Sequence, residues 1–325
     1  MEMKEISNQG AALKKQYTCR KPGIWLRVQL LSGKVTQKFK IMPAMFSEFF
    51  FFPITVLNIS WLLFMILHYQ PHDIADIFVG LSACQIGWWS IGIAVVSLFH
   101  EFGHVSALLH CGGIPGGVGI SMYYLLPKGW SEINDVWRLS QTDCLYVDSG
   151  GVYFQTLLSL AGYVLNVTWL NSRVILTVCV TSALMTVINL IPNSGSDGYW
   201  LVKDAFGIED VSQKAKSMFR QQSDGIQSIK PGEKKRMIIL LITRNIALIY
   251  LLSVVVTVLA VAAMRLFLEI SSFLGEISLF RPSMVSSFLS NNLSSMIVVT
   301  IVSQNVISSI CQMLRGKKIR SGNIK

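Results

Sequence analysis

Apolar residues in this chain come in long unbroken blocks separated by short polar or basic stretches. That is the pattern of helices that cross a bilayer, not of amphipathic surface helices. The first block, Phe49 to His68, supplies about 20 residues, enough for one crossing. The second runs from Ile77 through His104 to about Leu109, more than one straight span needs, with Gly80, Gly87 and Gly92 as points of interruption. This predicts a short re-entrant or interfacial piece and then a main helix ending near His104. Cys111 to Gly119 contains Gly112, Gly113, Pro115, Gly116, Gly117 and Gly119 and cannot continue a helix. Val118 to Leu126, rich in β-branched and aromatic residues, reads as a strand or hairpin arm. Ser131 to Leu139 reads as a short amphipathic helix capped by Ser131, with Trp137 at the interface. Val152 to Leu170 and Val174 to Ile191, joined only by Asn171-Ser172-Arg173, form an antiparallel pair. A fifth block runs from Ile246 to Met264 and a sixth from about Leu293 to Met313. The expected fold is an all-α polytopic membrane protein of about six transmembrane helices with a short membrane-associated β-hairpin.

Composition agrees with that class. Hydrophobic residues make up 52% of the chain, charged residues 14%, and the mean hydropathy is +0.50. Soluble domains run near a quarter charged, so the chain reads as one membrane domain without a large soluble one. The net charge of +10 does not indicate a nucleic-acid partner, because the basic residues flank the apolar blocks. Residues 1–43 carry nine Lys or Arg against Glu2 and Glu5, and the stretch from Gly198 to Met237 carries eight. The loop from Tyr69 to Asp76 carries none. The positive-inside rule then divides the chain into a cytoplasmic segment 1–43, a membrane domain 44–314 and a cytoplasmic tail 315–325. The expected location is the cell membrane, multi-pass, with both termini cytoplasmic and the first span an uncleaved signal anchor. The six cysteines form no CxxC pair and read as reduced packing residues.

Chemistry enters at His100-Glu101-Phe102-Gly103-His104. Two histidines four apart on a helix project from one face, roughly 6 Å apart along the axis, and both imidazoles can reach one metal ion. Ile77 to Phe99 contains no charged residue, and ionisable groups at the end of such a run cost several kcal/mol unless paired or ligating. A second constellation is Asn189-Leu190-Ile191-Pro192-Asn193-Ser194-Gly195-Ser196-Asp197-Gly198. Pro192 should end the fourth helix, and the antiparallel pair returns Asp197 to the side of His100 and His104. Two histidines and a carboxylate leave zinc one open position for water. His110 reads as an ordinary helix-end histidine, and Asn193 as a partner for backbone freed by Pro192.

The two motifs together, HExxH on one span and NxxPxxxxDG at the end of a later one, resemble those of the site-2 protease family of intramembrane zinc metalloproteases. The resemblance covers about residues 86–200, the three-helix core of that family. It implies one zinc per chain, held by His100, His104 and Asp197, with Glu101 as the catalytic base. It also implies a strand after the first motif, which Val118 to Leu126 would supply, so that a substrate paired as an added strand exposes its amides. Pro127, Asp135, Trp137 and Arg138 resemble a pattern in the branch encoded beside small modified or exported peptides. The chain departs from the family at Ser196, where a leucine is common, and at Gly150-Gly151 and Gln155, where a Gly-Pro and an asparagine are common. The amide of Gln155 is expected to donate to the developing oxyanion. The expected function is cleavage of a membrane-associated peptide or protein near the cytoplasmic face, with maturation or release of a small ribosomal peptide favoured. The alternative is a non-catalytic permease subunit or peptide-immunity protein, for which the His100, His104 and Asp197 triad has no evident use.

Overall fold

The computed structural model describes residues 24–39, 41–123, 126–192, 196–206 and 231–275, with isolated helical positions at 288, 292, 295–297 and 300. In chain order these form strand β1 (Ile24–Leu31), two single helical turns, then α1 (Glu48–His68), α2 (Pro71–Val79) and α3 (Ala83–His110). Strands β2 (Val118–Tyr123) and β3 (Leu126–Ser131) follow, then α4 (Gln141–Leu165), α5 (Arg173–Leu190), α6 (Asp197–Phe206) and α7 (Pro231–Gly275).

Four of the described helices are long and apolar enough to cross a membrane: α1, α3, α5 and the stretch Lys235–Phe273 of α7. They coincide with the first, second, fourth and fifth expected spans. The third expected span, Val152 to Leu170, falls on the later part of α4 and the π-helical turn Asn166–Leu170 after it, and α4 is less apolar because it turns Gln155, Thr156 and Ser159 into the protein. Most of the sixth lies outside the described residues, as do the tail and residues 1–23. Burial identifies the central helix: 56% of the α3 span is covered by protein, against 17% for α1 and for α7.

Four local expectations are revised. The break in the second block falls between Val79 and Ala83, not at Gly87 or Gly92. There Ser82 and Gln85 form a reciprocal capping box that starts α3, while the guanidiniums of Arg173 and Arg265 bond the Asp76 and Val79 carbonyls at the end of α2. The hairpin is a three-stranded antiparallel sheet in the order β1-β2-β3. Its extra strand comes from the segment read as a basic tail, where Leu26, Val28 and Leu30 alternate with Arg27 and Gln29 at the strand period. Ser131 ends β3 instead of capping a helix, and only Val136–Arg138 turn, as a 3-10 helix. The fifth span belongs to a 45-residue helix that begins at Pro231, so the stretch from Gly198 to Met237 carries α6 and the start of α7, while its residues 207–230 lie outside the described ones.

Packing places α3 against α4 along most of its length and against α5 and β3, while α6 lies on α4. Trp61 and Met65 of α1, Ile74 of α2, Val180 of α5 and Val254 of α7 form one apolar cluster. Phe46, Ala107 and Leu108 of α3, and Val147 and Phe154 of α4, form another beside the HExxH sequence.

Candidate metal centre

His100 and His104 lie in the last three turns of α3, which ends in a Schellman turn. Gly112 takes a left-handed φ of 78°, and the Gly112 and Gly113 N–H groups donate to the Leu109 and Leu108 carbonyls at 3.1 and 2.9 Å. Asp197 arrives from α5. That helix ends at Leu190, Ile191 is extended, and Ser196 caps α6 by accepting from the Tyr199 N–H at 3.2 Å. Residues 193–195, Asn193 among them, lie outside the described residues. A side chain on Gly198 would overlap the Leu190 carbonyl, so glycine lets α6 press onto the end of α5.

These elements bring together the three residues expected to hold the metal. The Nε2 atoms of His100 and His104 lie 3.1 Å apart, and they lie 3.1 and 3.6 Å from the two Asp197 carboxylate oxygens. One ligand atom from each residue falls within 4.8 Å of the others. Both histidines are buried, 8% and 7% exposed.

Hydrogen bonding fixes which face of each ring looks inward. The Nδ1 of His104 lies 2.7 Å from the Val147 carbonyl, which can only accept, so Nδ1 carries the proton. The Nδ1 of His100 lies 2.8 Å from Oε1 of Gln155, whose Nε2 donates to the Ser182 carbonyl at 2.9 Å. That second bond orients the amide, so His100 also carries its proton on Nδ1. In the neutral rings both Nε2 lone pairs then point at each other and at a carboxylate. Oδ2 of Asp197 is buried without a hydrogen-bond donor. A proton shared within the triad or a metal ion among the three groups would relieve this arrangement, and the three could hold one ion. Two imidazoliums would set N–H against N–H at 3.1 Å, whereas one divalent ion satisfies all three groups.

Room for the ion comes from a glycine seam. Gly103 and Gly150 let the α3 and α4 backbones meet, since a side chain on either would run into the other's backbone. A side chain on Gly151 would overlap both Nε2 atoms, so glycine there lets the α4 backbone lie directly against the two rings. The donor set of two imidazoles and a carboxylate fits zinc.

Glu101 lies outside the triad. Its Oε2 accepts from the Ser131 hydroxyl at 2.5 Å, and the Gly129 backbone lies against its stem. β3 therefore rests on α3 beside the expected base. The Gly129 N–H, which points away from β2, donates to Ser97 Oγ at 2.6 Å, and the neighbouring Pro127 has no N–H to offer. The strand edge nearest the site is thus already engaged.

The structure does not give Gln155 the expected role. Its amide N–H2 faces Ser182 on α5, away from the triad, and its oxygen serves His100. The sequence reading took Gly151 only as a departure from the family pattern and Ser131 as a helix cap, and it did not reach the carbonyl of Val147. Small residues on two facing helices, Gly103 against Gly150-Gly151, were the available signal for the seam. Asp148 was missed as well. It lies on α4 before Val152, and burial followed by the adjacent Asp204 carboxyl pushes it up to about 8. His110 sits among the rings of Phe46 and Tyr146, as a packed helix-end residue would. Cys84, Cys111, Cys144 and Cys179 are free thiols. No family model, no curated protein and no solved structure matches this chain.

Proposed function

We propose that the chain is a membrane-embedded zinc endopeptidase of the site-2 protease type, cutting a membrane-associated peptide or protein near the cytoplasmic face. One observation carries the reading: the Nε2 atoms of two histidines and a carboxylate converge at the end of an apolar helix, in the helix turn that also carries a glutamate. His100, His104 and Asp197 would hold the ion. Zinc held there would supply a Lewis acid for the scissile carbonyl and for an attacking water. Glu101 would accept the proton of the attacking water and return it to the leaving amine. Ser131 holds the glutamate carboxylate on the β3 side.

A substrate helix hides its amides, and strand pairing exposes them. Pairing with β3 requires the Gly129 N–H to exchange Ser97 Oγ for a substrate carbonyl. It also requires β3 to move off α3 there, because the Gly129 backbone lies against Ser97 and Glu101. Short loops favour a small substrate, and a ribosomal peptide being matured or released suits them best.

Metal analysis of detergent-purified protein tests the site. About one zinc per chain is expected in the wild type, and none in a His100→Ala, Asp197→Ala double variant. Glu101→Gln separates catalysis from a passive membrane role: it should retain zinc and lose peptide processing by ~100-fold or more. Full processing by that variant would leave the permease or immunity reading standing.

A further inference from the structure

We infer that Gln155 is the positioning residue that fixes His100 as a metal ligand and ties it to the helix that delivers Asp197. The inference deepens the zinc reading and rests on it. The two histidines are oriented by different means. His104 takes its Nδ1 acceptor from the main chain, the Val147 carbonyl. His100 takes its acceptor from a side chain, Oε1 of Gln155, which is 1% exposed. The amide has one satisfactory orientation there, because the Ser182 carbonyl on its other side can only accept. Reversing it would set oxygen against oxygen and leave His100 facing an N–H2 donor.

The far end of the link matters as much. The Ser182 carbonyl also accepts from the Thr186 hydroxyl at 3.0 Å, one turn further along α5. From there α5 runs to Leu190 and, through Ile191 and Pro192, toward Asp197. One amide therefore connects α3, which carries two ligands, through α4 to the helix that leads to the third. Gln155 spends both its acceptor and its donor on this connection and contributes nothing directly to the triad. If it only filled space, an apolar side chain of similar volume would serve.

The test is metal binding by the full-length, detergent-solubilised, metal-free chain. It uses Co2+ as a spectroscopic probe and Zn2+ in competition. Gln155→Leu keeps the volume and removes both hydrogen bonds. It should weaken Zn2+ and Co2+ binding ~10- to 100-fold and shift the Co2+ absorption bands as His100 loses its fixed orientation. Gln155→Glu retains an acceptor for the His100 Nδ1 proton whether or not its carboxyl is ionised. It should recover a spectrum close to that of the wild type and part of the affinity, because an ionised carboxyl cannot donate to the Ser182 carbonyl. Wild-type affinity and spectrum in the folded Leu variant would overturn the assignment. So would a Glu variant as weak as the Leu one. Failure of the wild type to bind either ion is a separate result, which overturns the zinc reading and this inference with it.

Discussion

Around Trp61, Met65, Ile74, Val180 and Val254 four helices meet through large apolar side chains, whereas along the seam of α3 and α4 two helices meet through their backbones. In the first region the polar atoms are few and directly paired: Trp61 Nε1 reaches the Ser159 hydroxyl at 3.2 Å, and Ser159 bonds the Cys179 carbonyl at 3.1 Å. In the second, Gly103, Gly150 and Gly151 remove side chains so that His100, His104, Gln155 and the Val147 carbonyl can approach. Lipid tails are as apolar as leucine, so association between helices in a bilayer depends on packing and hydrogen bonds more than on apolar burial. The side-chain cluster supplies packing. The glycine seam brings polar groups into registration, which alone leaves three acceptors facing one another.

The sharpest way to break the comparison is one methyl group in the seam. Gly151→Ala should lower zinc content from about one per chain to near zero while leaving helicity and elution volume unchanged, because its Cβ would overlap both Nε2 atoms. Metal analysis beside circular dichroism reads both. A folded Ala variant with full zinc would mean that the seam is not shaped around an ion. Trp61→Ala is the reciprocal change. It should cost roughly 2–4 kcal/mol, below the soluble-core range for so large a deletion because lipid reduces the transfer contribution, and leave zinc per folded chain unchanged. A loss of zinc in that variant would show the two regions to be one cooperative unit.

Chelation removes the cation without touching the sequence. Wild-type protein should melt at lower temperature when zinc is stripped, by an amount equivalent to ~4 kcal/mol where free zinc had stood at a thousand times its dissociation constant. The His100→Ala, Asp197→Ala variant should show no zinc-dependent shift. An equal shift in the variant would place the stabilising ion elsewhere.

What the sequence disclosed follows the range of the interactions involved. HExxH is local: helix geometry alone puts both histidines on one face, and the apolar run before them sets the cost of leaving them unpaired. Asp197 was legible because Pro192 and Gly198 mark a helix end and a close approach, and the two-residue-type pattern with HExxH is distinctive. β1 was not legible as a partner of β2, because pairing Val28 with Ile120 is non-local and its basic residues suggested only topology. The donor role of Gln155 was misread for a related reason. An amide is informative only once it is known which neighbours accept, and the Ser182 carbonyl on another helix decides that. The lower apolarity of α4 has a related origin, since Gln155 and Ser159 among the residues that dilute it bond other helices.

Asp148 offers the smallest and most specific test, because it lies at the polar end of the seam and touches neither ligand helix through a main-chain bond. Burial and the facing Asp204 raise its carboxyl to about 8 from an ordinary value of 3.8. Two carboxyls within hydrogen-bond reach share a proton more readily than they ionise together. A group whose folded-state value lies above its unfolded one favours the fold most when protonated in both states. Its contribution is therefore complete below about pH 3.8 and is lost as pH rises through about 8. Thermal midpoints of the wild type should fall across that window relative to those of Asp148→Asn, whose amide cannot ionise and can still donate to Asp204. The difference between the two proteins, not either slope alone, reads the Asp148 and Asp204 pair as a unit. Parallel midpoints across the window would mean that the α4–α6 contact does not depend on that shared proton, and that the polar end of the seam is held by the ligands alone.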